Sequence, residues 1–347
     1  MLNHDFHHER TWRTRRLAAW LCLAFSLLLV IGAFVYSFQA GILPGVANKH
    51  GHLPALPGFG QNSNSSPCSI SHSPGDSAIS LTSGGLQRSF IIHLPPAYSQ
   101  QQPLPMVINY HGYDNTAARM ASYTNMGAEA DKENFIVVFP QGALDNANPP
   151  KPSWNAGTGE NGPTGTADDV QFTRDLLSYV QKNYCVAAQR IYVTGYSIGA
   201  SMAYRVACEL SDQIAALATV EGAFYHIPPN GCQASRPIPV LEIHGQADQL
   251  APYNGAPPKL SVQTFLNLWF AIDKCNTSVS QTIFQQADVT GVQWPQCANG
   301  TIVEHYTISD GGHVWPGSVT PMPSLGYTTH TIDANVVIWN FFSGFKS

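Results

Sequence analysis

Ser197 stands in "VTGYSIGASMAYRVAC", residues 193–208, with Gly195 two positions before it and Gly199 two after. Gly-x-Ser-x-Gly between a β-rich run, "RIYVTG", and a helical run, "IGASMAYRVAC", is the pattern of a nucleophile elbow. The turn is sharp, so strand and helix approach closely only with small residues on either side. A serine hydroxyl presented there lies above the N-terminus of the helix, whose free N–H groups favour developing negative charge. The competing reading is a serine that merely caps an apolar helix. A hydroxyl is a weak nucleophile without a base, and in this architecture an acid and then a histidine come after the serine along the chain. Asp248, in "EIHGQADQLAPY", falls just past one strand. His313, in "SDGGHVWPG", falls just past another, on a turn given freedom by Gly311 and Gly312. Asp273, Asp288 and Asp310 lack that strand-end setting; His305 lies within an alternating strand, His226 precedes Pro-Pro, and His330 sits near the last helix. The expected chemistry is acyl transfer through Ser197, His313 and Asp248.

Acyl transfer needs two N–H donors aimed at an oxyanion. Ile198, directly after the serine, is expected to supply one, and Tyr113, in "NYHGYDNTA" after an early strand, the other. His111 of that loop is expected to hold structure through hydrogen bonds. Trp315, two residues past His313, and Trp154, in the Pro/Gly/Trp-rich segment 141–166, are expected to line the substrate pocket. This chemistry calls for no metal or organic cofactor, and no CxxC or His-rich spacing points to zinc.

The elements that must position these residues alternate. Strand-like runs "RSFIIHLP", "PMVINYHG", "FIVVFPQG", "RIYVTGYS", "PVLEIHGQAD" and "TIVEHYTIS" are separated by helical stretches, one from about Ala117 to Lys132, then "ADDVQFTRDLLSYVQKNY" and "IGASMAYRVACEL". The chain closes on a helix, "TIDANVVIWNFFSGF", and "TSGGL" before the first strand suggests a hairpin. Near-continuous Val/Ile runs divided by helices predict an α/β fold, a mostly parallel sheet with helices on both faces. The segment 141–166 shows no clear element and reads as a loop at the site.

Before this domain come two segments of different character. Arginines 10, 13, 15 and 16 precede the uncharged run "LAAWLCLAFSLLLVIGAFVYSF", residues 17–38, long enough to cross a bilayer, which needs about 20 residues. An uncleaved anchor and a cleaved signal segment both fit, and both would export the chain beyond residue 40. Residues 41–67 are rich in Gly, Pro, Asn and Ser and read as a linker. The expected organisation is a tail and anchor or signal over 1–40, a linker over 41–67 and a catalytic domain over 68–347, secreted or membrane-anchored. Export makes disulfides the expected state of the cysteines outside the apolar run. Pairing neighbours along the chain joins Cys208 with Cys232 and Cys275 with Cys297, leaving Cys68 for Cys185, one of many possible connectivities. The net charge is −5 over 347 residues, which gives no sign of nucleic acid as a partner.

The ordered set of HG-Y-x-N, W-N-A-G, D-D-V-x-F, G-Y-S-x-G-A-S-M-A-Y-R, H-G-x-A-D-x-x-x-P-Y and G-G-H-x-W-P-G, from about Ser83 to Phe342, resembles the polyhydroxybutyrate depolymerase and feruloyl-esterase-like family of α/β-hydrolase serine esterases. The resemblance implies the same Ser197, Asp248 and His313, and implies that Asp168 and Asp169 are structural. It implies a polyhydroxyalkanoate polyester or, alternatively, a feruloyl or acetyl-xylan ester as substrate; an envelope acyltransferase and a non-catalytic binding module are further alternatives. The chain departs from the pattern with Tyr196 and Ile198 around the serine and with "HGYDN" in the first loop, positions that shape the pocket.

Overall fold

A computed structural model describes residues 68, 70–157, 167–225, 231–320 and 322–347. The apolar run 17–38, the linker and His226 lie outside the described residues. Among the described residues no helix is long and apolar enough to cross a membrane.

In chain order the elements are β1 (Gly75–Ser83), β2 (Leu86–Leu94), β3 (Leu104–Tyr110), α1 (Ala117–Thr124), α2 (Met126–Glu133), β4 (Ile136–Pro140), β5 (Ala143–Leu144), β6 (Pro152–Ser153) and α3 (Asp169–Asn183). Next come β7 (Val186–Tyr196), α4 (Ile198–Glu209), β8 (Ala216–Val220), β9 (Val240–Gly245), α5 (Val262–Ile272), β10 (Gln281–Gln286), β11 (Val289–Trp294), β12 (Val303–Ile308) and α6 (Ala334–Ser343). Ten strands form one sheet in the order β1-β2-β4-β3-β7-β8-β9-β12-β11-β10. The central strands from β4 to β12 pair in parallel, with antiparallel strands at both margins.

The parallel centre is a consequence of its sequence. Strands β3, β4, β8 and β9 are buried along their whole length, which a strand needs when helices cover both faces. Successive side chains divide between those faces. Met106 and Ile108 join Leu176, Met202 and Phe265 of α3, α4 and α5. Val107 joins Met120, Met126 and Phe342 of α1, α2 and α6 on the other face.

Three local readings change. The helix expected from Ala117 to Lys132 is two helices, because Asn125 takes the left-handed conformation at φ 52° and its N–H closes α1 on the Ala121 carbonyl; asparagine tolerates that conformation. The segment from 141 contains a short hairpin, β5 with β6. Strands β8, β10 and β11 carry no strong sequence signal, since β8 is "ALATV" and β10 is "QTIFQQ", largely exposed. The disulfides join Cys68 with Cys185, Cys208 with Cys232 and Cys275 with Cys297, the pairing expected from chain proximity.

Candidate active site

The elbow is built as the glycine spacing requires. A β-carbon on Gly195 would lie 2.3 Å from the Gly199 carbonyl oxygen, and one on Gly199 would lie 2.2 Å from that of Tyr110. Strand β7, helix α4 and strand β3 therefore meet at distances no side chain permits. Ser197 sits at the corner with φ 59° and ψ −123°. A non-glycine residue held at such angles costs on the order of 1–3 kcal/mol, which the surrounding structure must supply. Here the Ser197 N–H donates to the Val220 carbonyl at 3.1 Å, and its own carbonyl accepts from Ala223 at 3.2 Å.

His313 and Asp248 arrive from loops after β12 and β9 at the same edge of the sheet. His313 Nδ1 lies 2.6 Å from Asp248 Oδ2, and His313 Nε2 lies 2.9 Å from Ser197 Oγ. A carboxylate only accepts, so Nδ1 carries the proton; in the neutral ring Nε2 is then bare and accepts from the serine hydroxyl. The other Asp248 oxygen accepts the N–H groups of Leu250 and Ala251 at 2.7 and 2.8 Å. Burial opposes charge on Asp248, but hydrogen bonds from His244, His313 and Ala251 hold its pKa well below the usual carboxylate range.

The loop after β3 lies beside the serine. His111 is fully buried, and burial brings its pKa down to about 4. The Gly142 N–H donates to its Nε2 at 2.9 Å, so the ring proton sits on Nδ1, which donates to the Gly112 carbonyl at 2.7 Å. In a trans peptide the carbonyl and the next N–H point in opposite directions. With the Gly112 oxygen tied to His111, the Tyr113 N–H is directed away from that ring. Ile198 is the first residue of α4, where an N–H has no acceptor within the helix.

Trp154 and Trp315 do not line the cleft. Both are fully buried. Trp154 Nε1 donates to the His111 carbonyl at 2.7 Å and pins segment 141–157 against the β3 loop. Trp315 packs into the core on the α1, α2 and α6 face, and its main-chain N–H donates to the Tyr123 hydroxyl at 2.8 Å. Large apolar rings near a site gain more by joining the core than by facing solvent. The cleft itself, 470 Å³, opens over Ser197 and His313 and is walled by Tyr113, Tyr123, Tyr196, Leu250, Met322 and Leu325. Met322 and Leu325 belong to a loop without periodic pattern, so the sequence offered no signal for them.

Asp168 caps α3 by accepting the Gln171 N–H, and Asp169 pairs with buried Arg88 at 2.6 Å. Asp169 also accepts the Asn155 N–H at 2.7 Å, while Arg205 of α4 donates to the Asn155 carbonyl at 2.7 Å. The W-N-A-G and D-D-V motifs are thus one scaffold joining the long loop to the elbow helix. Glu221, fully buried directly after β8, was not singled out by sequence. Among the described residues, Glu221, Asp248 and His313 form a grouping with donor atoms within 4.8 Å of one another. His313 Nδ1 spends its position on the Asp248 hydrogen bond, so the set is poorly suited to a cation.

A serine on a strained strand–helix turn, at the C-terminal edge of a mostly parallel sheet and with a histidine and an aspartate on later loops, is the architecture of the α/β hydrolases. The family described as Esterase matches residues 82–219. The chain is 30% identical over 240 residues to feruloyl esterase B of Piromyces equi, across 65% of this chain and 42% of that protein. It is 24% identical over 232 residues to a bifunctional acetylxylan esterase/xylanase of Neocallimastix patriciarum, across 66% of this chain and 31% of that protein. The chain thus spans less than half the length of either relative. An acetyl xylan esterase of Aspergillus awamori shares the fold, with TM-score 0.52 and 14% identity over 77% of this chain and 99% of that one. The chain is thus similar to feruloyl and acetylxylan esterases in sequence over about two thirds of its length, and to an acetyl xylan esterase in fold.

Proposed function

We propose that this protein is a serine esterase that hydrolyses carboxylic esters by two-step acyl transfer. The observation that carries the reading is the hydrogen-bonded line from Asp248 through His313 to Ser197 on the strained elbow. Ser197 Oγ attacks the ester carbonyl while its proton passes to His313 Nε2. Asp248 holds the ring in the required tautomer and stabilises the imidazolium. The N–H groups of Ile198 and Tyr113 receive the oxyanion. As the tetrahedral intermediate collapses, His313 returns the proton to the leaving alcohol. Water, deprotonated by the same nitrogen, then releases the acid and restores the serine.

For the substrate, the relatives favour feruloyl and acetyl-xylan esters of plant cell walls over a polyhydroxyalkanoate polyester. The cleft, walled by three tyrosines and by Leu250, Met322 and Leu325, suits an aromatic or short acyl group. The disulfides support a domain that works outside the cytoplasm, secreted or anchored through the N-terminal segment.

The test is the initial rate of the full-length chain on methyl ferulate, acetylated xylan and polyhydroxybutyrate, with Ser197→Ala alongside. The expected result is turnover of the first or second substrate and a loss in the variant of at least ~10³. Undiminished activity in Ser197→Ala overturns the mechanism, and turnover confined to polyhydroxybutyrate overturns the substrate assignment.

A further inference from the structure

Behind Asp248 lies a fully buried cluster of ionisable side chains that the mechanism above does not use. Glu242 and His244 project from the same face of β9, two residues apart. His244 Nδ1 lies 2.9 Å from Glu242 Oε1, and His244 Nε2 lies 2.8 Å from the Ala251 carbonyl. The same Nε2 stands 3.5 Å from both Glu221 Oε2 and Asp248 Oδ2. On the neighbouring strand β12, His305 Nδ1 stands 2.8 Å from Glu242 Oε2, and its Nε2 faces the hydroxyls of Tyr253 and Thr307. Glu221 accepts the Gly245 N–H. Tyr253 also sets its ring edge against His244, with centroids 5.9 Å apart.

The hydrogen-bond partners of the two His244 nitrogens, Glu242 Oε1 and the Ala251 carbonyl, are both acceptors. A carboxylate oxygen and a main-chain carbonyl have no proton to give, so both nitrogens must donate, and an imidazole that donates from both nitrogens is a cation. We propose, resting on the esterase reading, that His244 is a positioning residue of the active site: a permanently protonated imidazolium that clamps the Asp248 loop and sets the acid limb of the pH–rate profile.

The clamp is a chain of bonds. His244 Nε2–H holds the Ala251 carbonyl, the Ala251 N–H holds Asp248 Oδ1, and Asp248 Oδ2 holds His313 Nδ1. The charges act in the same direction. Desolvation lowers the pKa of His244, but the surrounding carboxylates outweigh it and raise the value well above the ordinary one. Burial opposes charge on Glu242, but its contacts with His244 lower its pKa, whereas burial raises that of Glu221. Asp248 and Glu242 both face this one imidazolium. Without His244 as a cation, Asp248 and Glu242 are uncompensated buried carboxylates beside the site, which disfavours loss of a proton there and moves the acid limb of the pH–rate profile to higher pH.

Two measurements on the full-length chain decide the matter. Ring nitrogen NMR of ¹⁵N-histidine-labelled protein should show both His244 nitrogens bearing protons from acid to mildly alkaline pH, a readout that needs no substrate. A bare ring nitrogen on His244 near neutrality overturns the proposal, whatever the fate of the esterase reading. In His244→Gln the acid limb of kcat/KM should move to higher pH by about one unit, a loss of about tenfold at the acid end. An unmoved acid limb in a folded variant also overturns it. Should that variant not fold, the NMR measurement on the wild-type protein still decides, and His244→Gln with Glu242→Gln, which removes the cation together with its anion, supplies the profile.

Discussion

The hydroxyl of Tyr196 donates to the main-chain carbonyl of His313 at 2.5 Å, and the two rings lie 5.0 Å apart. The residue before the serine therefore holds the loop that carries the histidine. Burial raises the Tyr196 pKa well above its ordinary value, so the phenol remains a donor at every working pH. Tyr196→Phe keeps the ring and removes the hydroxyl, which also contacts that of Tyr123, leaving a buried carbonyl unpaired at a cost of about 1–3 kcal/mol. The expected outcome is a lower Tm and a kcat reduced about tenfold, with KM for a short ester little changed. Calorimetry and steady-state kinetics on the variant check both.

In the proposed mechanism His111 acts one step further from the reaction. Its Nδ1–H fixes the Gly112 carbonyl and so directs the Tyr113 N–H. Losing one oxyanion donor costs ~10²–10³ in rate, so His111→Ala should lower kcat by up to that factor. Affinity for a boronic-acid transition-state analogue should fall with kcat, while KM holds. There is a stability component with a defined sign. Burial lowers the folded pKa from 6.5 to about 4, so the unfolded chain binds the extra proton first. The stability that neutral His111 contributes is present above pH 6.5 and is lost as pH falls toward 4. Replacement by glutamine should flatten the stability curve in that window, which chemical denaturation at a series of pH values will show.

Much of this site was legible because its chemistry constrains residue type at fixed spacing. Gly195 and Gly199 are required by backbone contact, and Asp248 and His313 stand at strand ends that the Val/Ile runs marked. What escaped was set by tertiary packing. Trp154 and Trp315 are near the site in sequence, but the core claims their rings. Glu221 comes directly after β8, an alanine-rich strand with little signal of its own, and its burial arises only when β8 is enclosed between β7 and β9. The division of α1 from α2 rests on one asparagine's left-handed backbone, which periodicity does not register.

The disulfides should differ in their effect on stability. Cys68–Cys185 closes a separation of 117 residues, whereas Cys275–Cys297 closes 22. In the chain-entropy account the longer loop contributes about 1.5 kcal/mol more. Cys68→Ala with Cys185→Ala should therefore lower the denaturant midpoint more than Cys275→Ala with Cys297→Ala. Equal losses in urea titrations would count against loop entropy as the source of the difference.

His93 offers a pH response far from the serine. Its Nδ1 lies 2.7 Å from Asp76 and its Nε2 2.9 Å from Asp131, so one ring joins β1, β2 and α2. Partial burial lowers its pKa, but the hydrogen bonds and charges of Asp131 and Asp76 more than offset this and raise it above 6.5. A raised folded pKa means that the stabilisation is fully present below pH 6.5 and is lost as pH rises through the folded value. Both aspartates are exposed, so solvent and salt screen the pair and the effect is about 1 kcal/mol or less. His93→Gln keeps a donor but no charge. The Tm of the wild type minus that of the variant should fall by on the order of 2 °C between pH 6 and pH 9 at low salt. It should shrink when the same titration is run at high salt. A difference independent of both pH and salt would mean that His93 holds these elements by packing and neutral hydrogen bonds alone.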